Sequence, residues 1–298
     1  MTTSHASDGW FQRWRRRRHT WKRHWHPCDN ARYMVAPVDA RAARLFVTEH
    51  HYAASWPATR LCYGLIDRTP HEEHRYPLPH PTALLKHGRL VGVAALSVPQ
   101  HPAVLLNPFP DLVPCYESID LGRFVLLDPV PGNAESWFLA RAFRLAAADG
   151  IRAVVAYADP VPRQRGDGTQ IMPGHIGWSY QGHNALYLGR SSPARITLLP
   201  VGTSLPARTV SKLHAAHPGA GGVTTRLRQL GAPPPTANEP TTTYLPRALD
   251  AIGAVTIHHP GKHKYAWQLD RSPAARLAQR VLPYPKAADL IPARLKEQ

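Results

Sequence analysis

Cysteine is scarce in this sequence and is not arranged to cross-link or to bind a metal. The three cysteines, Cys28, Cys62 and Cys115, are far apart and odd in number, and none belongs to a CxxC pair. A disulfide framework and a structural zinc site are therefore not expected, and reduced thiols fit a cytoplasmic protein. Apolar runs of the roughly 20 residues that a membrane span needs are also missing. No hydrophobic segment follows the cationic N-terminus, so we predict no secretory signal and a soluble protein.

Acidic residues are few relative to basic ones. The 20 Asp and Glu residues face 36 Lys and Arg residues, which gives a net charge of +16. Such a charge predicts a polyanionic partner, with DNA or RNA first and an anionic cofactor or membrane surface second. A basic surface that only reflects a GC-rich genome is the alternative. The apolar fraction of 43% over 298 residues supports a buried core, in one substantial domain with a smaller addition or in two small domains.

The first 30 residues combine cations with indole rings. Four tryptophans alternate with seven Arg and Lys residues between positions 10 and 25. Cations neutralise phosphates and flat rings stack on bases, so this arm is predicted to bind nucleic acid. A disordered basic tail that aids solubility is the alternative. His24, His26 and Cys28 have no second ligand cluster at matching spacing, so no metal site is predicted. The residues predicted to contact nucleic acid are Trp14, Arg15, Arg16, Arg17, Arg18 and Trp21.

The middle of the chain alternates strands and helices, which predicts an α/β protein. Residues 119–127 form a strong strand, 128–133 break it, and a helix over 135–148 follows with Asn133 as its cap. A second apolar strand at 151–157 ends at Asp159. The remaining predictions are a glycine-rich loop at 163–174, a short helix that contains Tyr180, a strand at 185–189, a helix at 40–47 capped by Asp39, a strand at 61–66, a hairpin within 83–96, irregular chain at 99–116, one or two helices within 209–230 and a closing hairpin within 254–269.

Several polar residues of this region fall near one predicted crevice. The positive end of the helix that follows residue 133 suits a pyrophosphate, so Asn133 and Ser136 line a phosphate-binding turn or act as ordinary caps. Arg123 lies in an apolar strand and must be paired or serve a site, and an ion pair with Asp159 is one alternative. Tyr180 could donate a proton to a leaving thiolate or be a core tyrosine.

Five short motifs follow one another in this region: Leu121-Gly122-Arg123-Phe124, Pro131-Gly132-Asn133-Ala134-Glu135-Ser136, Val155-Ala156-Tyr157-Ala158-Asp159, Gly166-Asp167-Gly168-Thr169 and Gly177-Trp178-Ser179-Tyr180-Gln181-Gly182-His183-Asn184. Their order resembles the phage DNA-modification proteins of the Mom family, divergent members of the GNAT superfamily of N-acetyltransferases.

The resemblance implies a GNAT-like mixed central sheet flanked by helices and splayed to admit an acyl-CoA. It implies conversion of adenine N6 in DNA to a carbamoylmethyl form with acetyl-CoA or a related acyl-CoA, which protects phage DNA from restriction in a bacterial host. By motif, Arg123, Ser136, Asp159 and Tyr180 match residues linked to cofactor binding and activity, and His51-Tyr52 matches a histidine–tyrosine pair. Iron has been raised for the family, but no ligand set is visible here and no metal is predicted.

The predicted organisation is an arm at 1–30, a GNAT-like catalytic domain at 31–200 and an extension at 201–298. In the extension, Lys212, Arg226, Arg228, Lys262, His263 and Lys264 extend a DNA surface or form a solvated face. The sequence leaves a homodimer open. The alternative functions are N-acetylation of a hypermodified base, a protein or a small-molecule amine, and non-catalytic DNA binding.

Overall fold

The protein is described from a computed structural model, which covers residues 10–15, 18–23, 28–69, 84–172, 174–205, 207–215 and 221–286. The chain divides into two compact units. Unit 1 comprises Met1–Pro160, Gly174–Ser191 and Lys262–Ile291, and unit 2 comprises Val161–Pro173, Ser192–Gly261 and Pro292–Gln298.

Strands outnumber helices along the described chain, and most of them are short. In chain order the elements are β1 Trp10–Arg15, β2 Arg18–Arg23, β3 Tyr33–Pro37, α1 Ala40–His50, β4 Thr59–Asp67, β5 Leu84–Leu85, β6 Gly88–Ser97, α2 Ala103–Leu106, β7 Ser118–Leu126, α3 Ala134–Ala148, β8 Ala153–Ala158, β9 Arg163–Gln164, β10 Gln170–Met172, α4 Trp178–Gln181, β11 Leu186–Arg190, β12 Ala194–Leu198, β13 Ser204–Leu205, α5 Ala207–His214, α6 Gly221–Gln229, α7 Thr241–Ala251, β14 Val255–His259 and β15 His263–Gln268, followed by a 3-10 turn at Pro273–Ala275.

A mixed sheet forms the centre of unit 1. Its strand order is β11-β15-β8-β7-β6-β4-β3, and β5 pairs with β6 as the predicted hairpin requires. Among these described strands, β7 and β8 run parallel and the other neighbours run antiparallel. A mixed sheet with flanking helices confirms the predicted α/β class.

Local sequence explains the two long helices of unit 1. The Asp39 carboxylate accepts hydrogen bonds from the backbone N–H groups of Arg41 and Ala42, at 2.8 and 3.2 Å, so the predicted cap of α1 is confirmed. In α3 the apolar residues recur at helical spacing and cover one face of the sheet. Its buried side is formed by Phe138, Leu139, Ala142, Phe143 and Ala146.

The predicted closing hairpin within 254–269 is wrong. Both strands exist, but β14 pairs with β12 in unit 2, whereas β15 lies between β8 and β11 in unit 1. Alternating apolar residues indicate a strand but not its partner, because the partner is fixed by tertiary packing. The units therefore divide the chain differently from the predicted ranges, since the segment that begins at Lys262 groups with the central sheet.

Unit 2 has a core of its own. A three-stranded sheet in the order β13-β12-β14 accompanies α5, α6 and α7. Helix α7 was not predicted, because its threonine-rich start and internal Pro246 are poor helix signals. The core is composed of Leu199, Leu205, Leu213, Leu227, Ala232, Tyr244, Leu245, Ala248 and Ile252.

Two further segments differ from the sequence-based expectation. The stretch 99–116, expected to be irregular, contains the single turn α2, which begins after Pro102, a residue that suits a helix start. In the arm, β1 and β2 pair antiparallel from Trp10–Arg23 to Arg15–Arg18. Within the part of the chain that is described, no helix is long and apolar enough to cross a membrane.

Candidate functional site

The candidate site lies where β7 and β8 separate. These parallel strands pair at three positions, Ser118–Ala153, Ile119–Val154 and Asp120–Val155. Beyond Asp120, β7 continues to Leu126 along β6, while β8 continues to Ala158 along β15. Two parallel strands that begin together and then follow different neighbours leave an opening at their carboxyl ends, where ligands gather in open α/β sheets.

Arg123 is held beside this opening by the loop that follows α1. Its Nε donates to the backbone oxygen of Ser55 at 3.0 Å, and its Nη2 donates to Ser55 Oγ at 2.8 Å. Nη1 donates to the carbonyl of Gly122. Because the hydrogen bonds of Arg123 go to Ser55 and Gly122, the alternative of a structural ion pair with Asp159 is not realised. Burial lowers the pKa of Arg123, and the acidic groups of Tyr52, Asp120 and Tyr180 oppose that shift.

His51, Tyr52 and His175 form an aromatic row next to Arg123. The ring centroids are 4.2 Å apart for His51 and Tyr52, and 6.0 Å apart for Tyr52 and His175. His51 Nδ1 accepts a hydrogen bond from Ala53 N at 3.1 Å, so the proton of the neutral ring sits on Nε2. Burial lowers the pKa of His51 well below its usual value, and Arg123 and His175 add to this. Both imidazoles are therefore neutral near pH 7, since the pKa of His175 is about 4.

Asp159 connects this row to the end of β8. It is buried, and its backbone oxygen accepts a hydrogen bond from His175 N at 2.8 Å. Burial is the main cause of the low His175 pKa; the Asp159 carboxylate opposes the shift and Lys262 adds to it. His175 Nε2 is enclosed and has no hydrogen-bond partner among the described residues. The described residues thus leave the hydrogen-bonding capacity of this ring nitrogen unused.

Tyr180 reaches the opening from the opposite face of the sheet. Its ring packs on Tyr265 and Trp267, with centroids 5.6 and 5.5 Å away. By strand register, these two side chains lie on the face opposite Asp120. Burial raises the pKa of Tyr180 well above its usual value, helped by Tyr52 and Asp120 and opposed by Arg123. The side chain is thus both a core tyrosine and an electrostatic neighbour of Arg123, through the gap between the strands.

The start of α3 differs from its predicted form. Asn133 occupies the N-cap position but its side chain makes no capping hydrogen bond, since its backbone (φ −86°, ψ 3°) is not in the extended conformation of a capping residue. Ser136 Oγ instead donates to Asn133 O at 3.2 Å. Buried Glu135 in the first turn supplies the negative charge that favours this helix end. The cofactor-binding roles of Asn133 and Ser136 remain predictions.

The predicted nucleic-acid contacts have no described side chains. The backbones of Trp14, Arg15, Arg18 and Trp21 belong to the β1–β2 hairpin, while residues 16 and 17 (Arg16 and Arg17) lie outside the described residues, as do residues 24–27. In the predicted C-terminal DNA surface, His263 and Lys264 are buried in β15, so they do not belong to a solvated face. Lys262, Arg226 and Arg228 are exposed.

Sequence reasoning missed three residues of the site. Ser55 gave no signal, because a serine in a loop is ordinary. Asp120 is three residues from Arg123, and simple strand alternation would put the two side chains on opposite faces. His175 lies in a loop with glycines and prolines, where no periodicity exists. Lys262 was noted only as a DNA contact, although it interacts electrostatically with Asp120 and His175.

The fold and site define an α/β protein whose mixed sheet opens between two parallel strands. The family model of the Mom protein family matches residues 32–199. This match covers more than half of the 298 residues, so the chain belongs to the Mom protein family.

Solved structures similar to the chain include two N-acetyltransferase-related proteins. The first, "Crystal structure of a putative phosphinothricin N-acetyltransferase", shares 13% identity with a TM-score of 0.29 and covers 54% of this chain and 86% of that one. The second, "Tandem GNAT protein from the clavulanic acid biosynthesis pathway (without AcCoA)", shares 10% identity with a TM-score of 0.38 and covers 80% of this chain and 99% of that one. At these TM-scores the similarity says nothing about activity. A search of the curated proteins found no match.

Proposed function

We propose that this protein transfers the acyl group of an acyl-CoA-type donor to N6 of adenine in DNA, as a DNA-modification enzyme of the Mom type. Membership of the Mom family supports a DNA-modification or acyl-transfer role. The observation that carries the proposal is the placement of Arg123 by Ser55 at the opening between β7 and β8. A cation fixed beside a strand opening can hold an anionic donor or stabilise developing negative charge.

The residues around the opening suit a thioester donor. Arg123, Ser136, Asn133 and the start of α3 would hold the anionic part of acyl-CoA, and the phenol of Tyr180 would face the sulfur. When bound, the thioester supplies an activated carbonyl carbon. Because burial raises its pKa, Tyr180 keeps its proton at neutral pH, and its phenol can donate a hydrogen bond to a leaving thiolate.

His51, Tyr52 and His175 fit the recognition of a flat, uncharged base. The Tyr52 ring lies in contact distance of both imidazoles, and the two imidazoles are neutral near pH 7. Neutral aromatic rings can stack on a base, and an imidazole nitrogen can exchange hydrogen bonds with its edge. Asp159 positions His175 through the backbone hydrogen bond between them.

DNA binding follows from charge. A net charge of +16 favours contact with phosphates, and the arm of residues 1–30 supplies cations and indoles together. Adenine N6 cannot reach the opening while the base is stacked in a duplex, so base flipping or local melting is part of the proposal. No group of three or more His, Cys, Asp or Glu side chains in the described ranges is arranged to hold a metal ion, so no step is assigned to iron.

A reconstituted reaction tests the proposal. The full chain is incubated with duplex DNA and acetyl-CoA, and nucleosides from the digested DNA are analysed by mass spectrometry while free thiol is measured. We expect a donor-dependent modified deoxyadenosine that is lost in Arg123→Ala and kept in Arg44→Ala, whose guanidinium is exposed on α1. Thiol release onto another amine with unchanged DNA would instead support N-acetylation of a different substrate. DNA retention with neither product nor thiol release would support a non-catalytic binder.

A further inference from the structure

Strand β7 contains an extra residue opposite β6. Asp120 pairs with Ser97 and Leu121 pairs with Leu96, but the next pair joins Arg123 to Ala95. The partner strand thus advances by one residue while β7 advances by two, which leaves Gly122 as a β-bulge. Glycine favours this close approach, because a Cβ on Gly122 would displace the Ser97 hydroxyl and lie 3.1 Å from Ser97 Cβ.

The bulge changes which side chains share a face of the sheet. In a regular strand, residues three apart point to opposite faces. Residues that pair directly across neighbouring strands share a face, and Ser97 and Ala95 are two apart on β6. Asp120 and Arg123 therefore lie on the same face. The bulge brings a carboxylate and a guanidinium together at the point where β7 leaves β8.

Asp120 is the last residue of β7 that pairs with β8, so its side chain lies at the closed end of the opening. Arg123 of β7, Lys262 beside β15 and the Ser97 hydroxyl of β6 favour its charged form. Tyr157 of β8 and Tyr180 of α4 also interact with it. Burial outweighs the two cations and the hydroxyl, and raises the pKa of Asp120 to about 7. A carboxylate of this acidity exchanges protons close to neutral pH.

We propose that Asp120 is the proton acceptor for the attacking amine, an assignment that rests on the proposed function. As the amine nitrogen forms its bond to the acyl carbon, it passes one proton to the Asp120 carboxylate. The bond from that carbon to sulfur breaks, and the leaving thiolate accepts a hydrogen bond from the Tyr180 phenol and a proton from solvent. The Arg123 guanidinium compensates the negative charge that forms between Asp120 and Tyr180 during the reaction. Asp120 then releases its proton to solvent, so protons balance over one turnover.

Rates measured against pH with acetyl-CoA and duplex DNA test this assignment. The wild-type rate should rise with pH around a midpoint near 7, where Asp120 loses its proton. Asp120→Asn should lower the rate by about 100-fold or more and abolish the rise, because an amide accepts no proton. Asp120→Glu should retain part of the rate with a shifted midpoint. Asp111→Asn, at an exposed carboxylate, is the matched control and should behave as wild type.

Circular dichroism and thermal melting separate this role from a structural one. A group whose pKa is raised by folding destabilises the folded state at higher pH, so Asp120→Asn should be no less stable than wild type above about pH 7. An Asp120→Asn rate within about threefold of wild type, with the same pH midpoint, would overturn the assignment. If Asp120→Asn does not fold, an unchanged midpoint in Asp120→Glu would do the same. A wild-type protein without activity on DNA would instead contradict the proposed function itself.

Discussion

Replacing Gly177 by alanine tests how the site residue Tyr180 is held. Gly177 precedes α4 and has a φ of +82°, in the left-handed region. Its carbonyl accepts the backbone N–H groups of Tyr180 and Gln181 at 2.9 and 3.0 Å. A Cβ at this position would lie 2.7 Å from Cε2 of Tyr265 and 3.0 Å from Cδ2 of Tyr180. Alanine therefore meets both backbone strain and two aromatic rings.

The two costs can be separated with a matched glycine in the same unit. Gly150 has a φ of +89°, and a Cβ added there would have no atom within 4 Å beyond its own chain neighbours. Gly150→Ala should therefore lower the free energy of unfolding by about 1 kcal/mol, which is the strain of an alanine in the left-handed conformation. Gly177→Ala should lower the free energy of unfolding by the same amount and by roughly a further 1–3 kcal/mol, because the added Cβ overpacks the two rings. Urea unfolding of the two variants and wild type measures both values.

The packing cost should also affect function, because the rings that must move include Tyr180. We expect Gly177→Ala to lower the rate of DNA modification by about tenfold or more, and Gly150→Ala to leave it unchanged. Equal losses of unfolding free energy in the two variants would refute the packing argument. A normal modification rate in a clearly destabilised Gly177→Ala would refute the proposed position of Tyr180.

Three further predictions concern hydrogen bonds and protonation. Tyr63→Phe removes the 2.7 Å bond that the phenol donates to Asp149 Oδ2, and should lower the free energy of unfolding by about 1.5 kcal/mol; Asp149→Asn keeps an acceptor and should lose about half of that, both read from urea titrations. The pKa of His175 is about 4 in the folded protein and near 6.5 in the unfolded chain. The stability that the neutral ring contributes is therefore complete above pH 6.5 and is lost as the pH falls towards 4. His175→Gln should therefore lessen the acid destabilisation by roughly 2 kcal/mol in paired melts at neutral and acidic pH, and an unchanged difference would contradict the buried neutral ring. Ser55→Ala removes the 2.8 Å bond to Arg123 Nη2 but keeps the backbone bond, so kcat/KM should fall about tenfold with unchanged melting.

Much of the central fold is predictable because its signals are local. The cap at Asp39, the helical spacing of Leu139 and Phe143, and the apolar strand that ends before Asp159 each depend on a few neighbouring residues. Such signals need no knowledge of distant contacts. The partners of β14 and β15 could not be predicted, since two adjacent strands with a turn between them are equally compatible with a hairpin and with separate sheets.

The site could be predicted only in part, because only some of its residues have a local signal in the sequence. Arg123 could be predicted as a site residue, because a charged side chain in an apolar strand must be paired or serve a site. Asp120 could not be joined to it, because the bulge at Gly122 depends on the register with β6 and on the close approach of Ser97. The cap expected at Asn133 failed because capping needs an extended backbone as well as a suitable side chain.

The most direct test of the proposed function is nucleoside mass spectrometry of plasmid DNA from cells that express the full chain. The proposal predicts a modified deoxyadenosine whose added mass is that of the transferred acyl group, absent from cells that express Arg123→Ala at the same level. A digest identical to that of cells without the protein, when the protein is folded and present in the soluble fraction, would contradict it.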